Sequence, residues 1–170
     1  MSGSQILNPD GLGPHPKGGR DARDPEAAPV FVIHSLTQAV AALSAAAEAG
    51  RAIVLASAPE AGISAGSGWF REVVQAAREA VPPARFRALL DCGDDAGAAM
   101  AAIRAGIEAI VFNGRTDVAA RLADVAAQKG GRVVTERPVA LLDLGSSFFG
   151  DSDSLRRRCR DALASLAGFC

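Results

Sequence analysis

The sequence predicts an α/β fold: a parallel sheet of about five or six strands with alternating helices, laid out as a partial (half) TIM barrel or as an open doubly wound sheet. Three observations predict it. Short runs such as Val30-Phe31-Val32-Ile33 and Ala52-Ile53-Val54-Leu55-Ala56 are apolar without alternation, as strands covered on both faces of a parallel sheet are. Ala-rich amphipathic stretches separate these runs, as crossover helices do. The units recur about every 25 residues, a spacing that suits both layouts. A complete barrel usually needs about 250 residues. A chain of 170 residues therefore has room for five or six strands and leaves sheet edges to be covered or paired.

Each element follows from local signals. Residues 1–28 carry Pro9, Gly11, Gly13, Pro14, Pro16, Gly18, Gly19 and Pro25 and almost no apolar periodicity, so they read as a flexible tail touching down at Ile6-Leu7. Residues 29–170 read as a single α/β domain. Val30–Ile33 is the first strand, and Leu36–Ala49 is a helix that Gly50 ends. Ala52–Ala56 is the second strand. A Gly-rich loop, Gly62–Gly68, leads into a helix from Trp69 to Val81 that Pro82-Pro83 stops. Phe86–Leu90 is the third strand, and Asp95–Ala105 is a helix ended by Gly106. Glu108–Phe112 is the fourth, and Thr116–Gln128 is a helix ended by Gly130-Gly131. Arg132–Glu136 and Val139–Leu144 give one or two further strands. Ser154–Leu166 is a terminal helix with Asp153 or Ser154 as its N-cap.

Composition excludes several classes. The formal net charge is −1, which argues against nucleic acid and against an acidic membrane surface. There is no Tyr and a single Trp, Trp69, so no aromatic platform for bases is expected. No apolar run reaches membrane-spanning length, and the N-terminus has no apolar signal core, so the expected location is cytoplasmic. Cys92, Cys159 and Cys170 are odd in number and fit neither a disulfide framework nor a zinc knuckle, so reduced thiols are expected.

In βα units the groups that do chemistry sit at the C-terminal ends of strands. Here those positions carry Asp91, Cys92, Asp94 and Asn113, in the stretches Leu89-Leu90-Asp91-Cys92-Gly93 and Ala109-Ile110-Val111-Phe112-Asn113-Gly114. Together with Phe31–Leu55 and Ser57-Ala58-Pro59-Glu60-Ala61-Gly62, these stretches resemble, in order, the first half of a class II fructose-bisphosphate aldolase, a zinc-dependent TIM barrel. Val133-Val134-Thr135-Glu136 resembles the acidic strand that follows. The resemblance covers about residues 30–137 and implies that Asp91 is the catalytic proton-transfer group.

Two departures accompany it. The family's first zinc histidine directly follows the catalytic aspartate, and that position here is Cys92. The family's other zinc histidines and its phosphate-binding loops lie in the second half of the barrel and have no counterpart. His15 and His34 are the only histidines, and neither falls on a zinc position. A catalytic zinc usually wants three protein ligands and a water, and Cys92 and Glu136 supply two at most. No metal or other cofactor is expected. Schiff-base chemistry needs a desolvated lysine at a strand end. Lys17 lies in the tail and Lys129 at a helix C-terminus, where it favours the helix dipole.

The candidate residues also have plain structural explanations. Asp91 either moves a proton or caps a helix or pairs with an arginine. Cys92 beside it reads as a small buried inert thiol, because the neighbouring carboxylate raises its pKa. Asp94 and Asp95 fit a helix N-cap. Ser57, Asn113, Glu136 and His34 are the candidate substrate-binding groups. Against them stand turn formation at Asn113-Gly114 and a satisfied strand-end side chain for His34. Gly62-Ile63-Ser64-Ala65-Gly66 matches G-x-S-x-G, yet Ser64 is not on the turn directly after a strand and no histidine follows it. Arg115 and Arg137 are the only cations near the strand ends for a phosphate.

The function expected from these features is that of a degenerate aldolase-like domain, non-catalytic or binding a small metabolite at the strand C-terminal ends. The alternative is an active carbon–carbon lyase or isomerase acting on a phosphorylated or keto metabolite through Asp91. A homo-oligomer covering the open sheet edges is the expected partner. Phe148-Phe149 and the last helix, with its Arg156-Arg157-Arg158 face, are its candidate contacts.

Overall fold

A computed structural model describes residues 28–166. The expected tail contact at Ile6-Leu7, with His15 and Lys17, and Cys170 lie outside the described residues. The protein is an α/β fold with an open, all-parallel sheet of six strands in the order β5-β4-β3-β2-β1-β6. The strands are β1 Val30–Ile33, β2 Ile53–Ser57, β3 Phe86–Asp91, β4 Ala109–Val111, β5 Arg132–Val134 and β6 Leu142–Asp143. The helices are α1 Leu36–Glu48, α2 Ala61–Ser64, α3 Gly66–Ala80, α4 Ala96–Arg104, α5 Thr116–Gln128 and α6 Ser152–Ser165. The sheet does not close into a barrel. From β1 to β5 the strand order never reverses, and β6 adds to the free edge of β1.

The two faces of the sheet are covered differently. One apolar cluster joins Phe31, Ile33, Leu55, Leu90 and Ile110 to residues of α1, α3, α4, α5 and α6. The other contains Val30, Val32, Val54, Ala56, Leu89, Ala109 and Val111 and no helical residue. All the long helices therefore lie in one layer. The opposite face is made of valines, alanines and Leu89 and is crossed by the β5–β6 connection, a seven-residue strap from Thr135 to Leu141. Leu141 N–H donates to Val30 O at its far end.

Local chemistry explains the elements. Ser35, Asp95 and Asp151 accept the N–H of Gln38, Ala98 and Ser154 and so cap α1, α4 and α6. Asp151, rather than Asp153 or Ser154, is the cap of the last helix, because the helix begins at Ser152, two residues before the expected start at Ser154. The expected Gly62–Gly68 loop is almost wholly helical. Ala61–Ser64 makes one turn, and α3 starts at Gly66 with φ +84, a conformation glycine takes without strain. Gly62 is needed for another reason: a Cβ there would lie 2.8 Å from Cys92 Sγ and 3.0 Å from Asp91 O. Helix α1 buries Ala39, Ala42, Ala45 and Ala46, which lets it lie close against the sheet between α3 and α6. Both edge strands are short, three residues in β5 and two in β6, which limits their use as templates for another strand.

Candidate functional site

Parallel strands deliver their C-terminal ends to one side of the sheet, and this is where the candidate residues gather. Ser57 ends β2 and Asp91 ends β3; both are buried. The Asp91 N–H donates to Ser57 Oγ at 2.9 Å, and Ser57 Oγ donates to Ala58 O at 2.9 Å. Asp91 Oδ1 accepts the Gly93 N–H at 2.9 Å and the Glu60 N–H at 3.2 Å. Its Oδ2 faces Arg137 Nη1 at 2.5 Å, and Arg137 Nη2 donates to Ser57 O at 2.6 Å. The carboxylate is thus held by three donors from three segments. Glu60 aims its N–H at Asp91 from a left-handed conformation, φ 56, which a non-glycine residue adopts at a cost of about 1–2 kcal/mol.

A second polar group lies at the β1–β6 edge. His34 Nε2 contacts Asp143 Oδ1 at 2.8 Å, and Gly145 N–H donates to the same oxygen at 2.8 Å. Burial works to raise the Asp143 carboxyl. The bonds from Gly145 and His34, with the charges of His34 and Arg137, outweigh it and hold the group below its ordinary value. Buried Gln38 ties the two strand ends together, accepting the His34 N–H at 2.7 Å and donating to Leu144 O at 2.8 Å.

The remaining candidates stand apart. Asn113 is exposed, and its N–H donates to Gly93 O at 2.9 Å. Glu136 is exposed on the strap, beside a cavity of about 220 Å³ on the helix-free face lined by Val30, Val54, Leu89 and Pro138. Ser64 is exposed and donates to Glu60 O at 3.2 Å, so it forms no nucleophile elbow. Asp95 caps α4, as expected of this position.

The residues do not fit a catalytic zinc. Cys92 packs into the helix-side cluster beneath Gly62, on the opposite face of the strand from Asp91. Burial, and then the charges of Asp91 and Asp95, push its thiol up to about 12, far from a thiolate ligand. Among the described residues no three His, Cys, Asp or Glu side chains come together as a metal site.

Sequence reasoning placed Asp91 and Ser57 correctly at the strand ends but did not pair Arg137 with them. The available signal was an arginine held next to Pro138 in a short connection, where its backbone has little freedom. The His34–Asp143 pair joins residues 109 positions apart and left no local trace.

No protein-family model matches the chain, and no curated protein matches it. Among solved structures, the chain matches the crystal structure of a candidate fructose-1,6-bisphosphate aldolase from Coccidioides immitis, with a TM-score of 0.52 and 18% sequence identity. The fold is aldolase-like. The match covers 63% of this chain and 40% of that one, so the chain spans well under half the length of the aldolase structure. Among the described residues no helix is long and apolar enough to cross a membrane.

Proposed function

We propose that this chain is a degenerate, non-catalytic aldolase-like domain that works as a cytoplasmic homo-oligomer, and that its strand-end polar residues lock the strap over the sheet. The observation that carries this reading is the engagement of both Asp91 oxygens within the chain. A proton-transfer group must have a lone pair directed at substrate. Here Oδ1 is taken by two backbone N–H groups and Oδ2 by Arg137. Of the two cations near the strand ends, Arg137 is engaged by the same carboxylate and Arg115 pairs with Asp117.

The test measures aldol cleavage of fructose 1,6-bisphosphate, with and without zinc, beside the thermal midpoint, in the wild type, Asp91→Asn and Arg137→Gln. The expected result is no turnover above background and a lower midpoint in both variants. Turnover that Asp91→Asn abolishes without moving the midpoint would establish the lyase instead.

Binding of a small metabolite is the second reading, favoured by the cavity of about 220 Å³ beside Glu136. A panel of sugar phosphates and 2-keto acids tests it, because a ligand at a hundredfold excess over its dissociation constant stabilises the folded state by about 2.7 kcal/mol. A shift lost in Glu136→Gln supports this reading, and a flat panel removes it.

A further inference from the structure

The strap crosses the helix-free face once, from the end of β5 to the start of β6, and leaves beside it the cavity of about 220 Å³. Val54, Leu89 and Ala109 line that cavity on the sheet side, and Glu136 and Pro138 line it on the strap side. At the β1 end it is bounded by Ala28, which also packs on the apolar cluster of this face. The chain that precedes Ala28 is therefore joined at the wall of the cavity itself. A neighbouring hollow shares Ala109 and Arg132 with the cavity and adds Arg87. Arg87 pairs in register with Val54, so the two side chains share a face of the sheet. Among the described residues no ion pair engages Arg87.

The sequence joined at that wall is Asp24-Pro25-Glu26-Ala27. It carries two carboxylates and no cation, and its apolar residues are small. Pro25 and Pro29 bias Asp24 and Ala28 toward extended backbone. From β1 to β3 is two strand spacings, about 10 Å. Four extended residues reach about 14 Å, so Asp24 comes within range of Arg87. A cavity of about 150 Å³ is enough to take up benzene, so this one has room for a proline ring. Glu136 stands on the strap side, so like-charge repulsion favours the Arg87 side for the carboxylates. A tethered segment also competes at an effective concentration of the order of millimolar, which a separate molecule has to exceed.

We propose that this cavity is the docking site of the chain's own residues 24–27, with Pro25 seated between the strap and β2–β3 and the Asp24 carboxylate paired with Arg87. The proposal is independent of the homo-oligomer and Asp91 readings. A metabolite entering beside Glu136 would have to displace the segment.

The test is trypsin digestion of the full chain under native conditions, with mass spectrometry following the bond after Arg23. A synthetic peptide of residues 1–29 gives the rate for the same bond undocked. The wild type is expected to be cut at least about tenfold more slowly than the peptide, at about 1 and at about 50 μM alike, because cleavage follows the undocked fraction. Asp24→Asn with Glu26→Gln, set against a peptide carrying the same changes, is expected to bring the rate within about twofold of the peptide, and so is Arg87→Glu. Circular dichroism checks that each variant is folded. Asp24 and Glu26 precede the first strand, so the acidic variant carries the test by itself if Arg87→Glu unfolds. Wild-type cleavage at the peptide rate overturns the docking. Protection that appears only at the higher concentration makes a second copy the occupant and overturns it too. Protection that survives either folded variant overturns the placement beside Arg87.

Discussion

Replacing Arg137 with leucine should detach the strap from the sheet. The substitution keeps an apolar stem but leaves Asp91 Oδ2 without its cation. Removing one partner of a buried ion pair generally destabilises by about 3–5 kcal/mol. Here the Arg137 side chain is 27% exposed and that of Asp91 is 6% exposed. Asp91 also keeps the Gly93 and Glu60 N–H bonds on Oδ1. The partial exposure of Arg137 and the bonds that Asp91 keeps should bring the loss below that range, to about 2–3 kcal/mol. About 140 ordered residues give an unfolding entropy of about 0.3 kcal/mol/K, so the midpoint should drop by about 7–10 °C. Calorimetry measures that drop. Hydrogen exchange locates it: the Leu141 and Leu144 amides, which donate to Val30 O and Val32 O, should lose protection before those of β2 and β3. A double-mutant cycle with Asp91→Asn should return a coupling of similar size. A midpoint within 1 °C of the wild type, with strap amides unchanged, would refute the reasoning that this pair holds the strap.

Four further outcomes follow from named contacts. Glu60→Gly should raise stability by about 1 kcal/mol by relieving the left-handed strain, checked by denaturant titration; a fall would mean that the Glu60 side chain contact over Gly93 outweighs the strain. Gly62→Ala should destabilise by about 1–3 kcal/mol in the same assay, because the new methyl meets Cys92 Sγ and the Asp91 carbonyl, and an unchanged midpoint would count against that close approach. Burial pushes Cys92 up to about 12 and Cys159 to about 11, so iodoacetamide at pH 8 should leave both unmodified in the folded protein and alkylate both in denaturant, as mass spectrometry would read. Asp143 sits below its ordinary 3.8, so its contribution is present above that pH and disappears as pH falls through the lower folded value; the stability gap between wild type and Asp143→Asn should be open above about pH 3.8 and close at lower pH, and a gap that does not narrow as the pH falls would reject the account that the Gly145 and His34 bonds hold the carboxylate.

Much of the fold was legible because its signals are local. Val30–Ile33 and 53–56 are apolar at every position, and Gly50, Gly106 and Gly130 end helices with positive φ as glycines at that site do. The Gly62–Gly68 stretch misled because glycine content suggests a loop, whereas Gly62 is there for the close approach to Cys92 and Gly66 for the break between two helices. The strand-end position of Asp91 was legible from an apolar run closed by a carboxylate. Its partner was not, because Arg137 reaches it across 46 residues from the connection over the helix-free face. His34 and Asp143 meet only because β6 joins the edge of β1, a topological fact with no local sequence signature.

The helix-free face explains why so much polar bonding is spent on seven residues of connection. In a closed barrel, Val32, Ala56, Leu89 and Val111 would face side chains from strands on the opposite wall. Here the sheet is open, and these residues are nevertheless buried with no helix over them. Among the described residues the strap is what crosses that face, with Ala140 packed onto the cluster. A strap of this length has too little apolar surface to hold itself down by burial alone. Its far end is fixed by the Leu141 bond to Val30 O of β1, its near end continues from β5, which pairs with β4, and its middle is fixed at Arg137, which grips β2 through Ser57 O and β3 through Asp91. The Asp91 carboxylate at the end of β3 is thereby the anchor of the cover, so loss of either Asp91 or Arg137 should loosen the same segment.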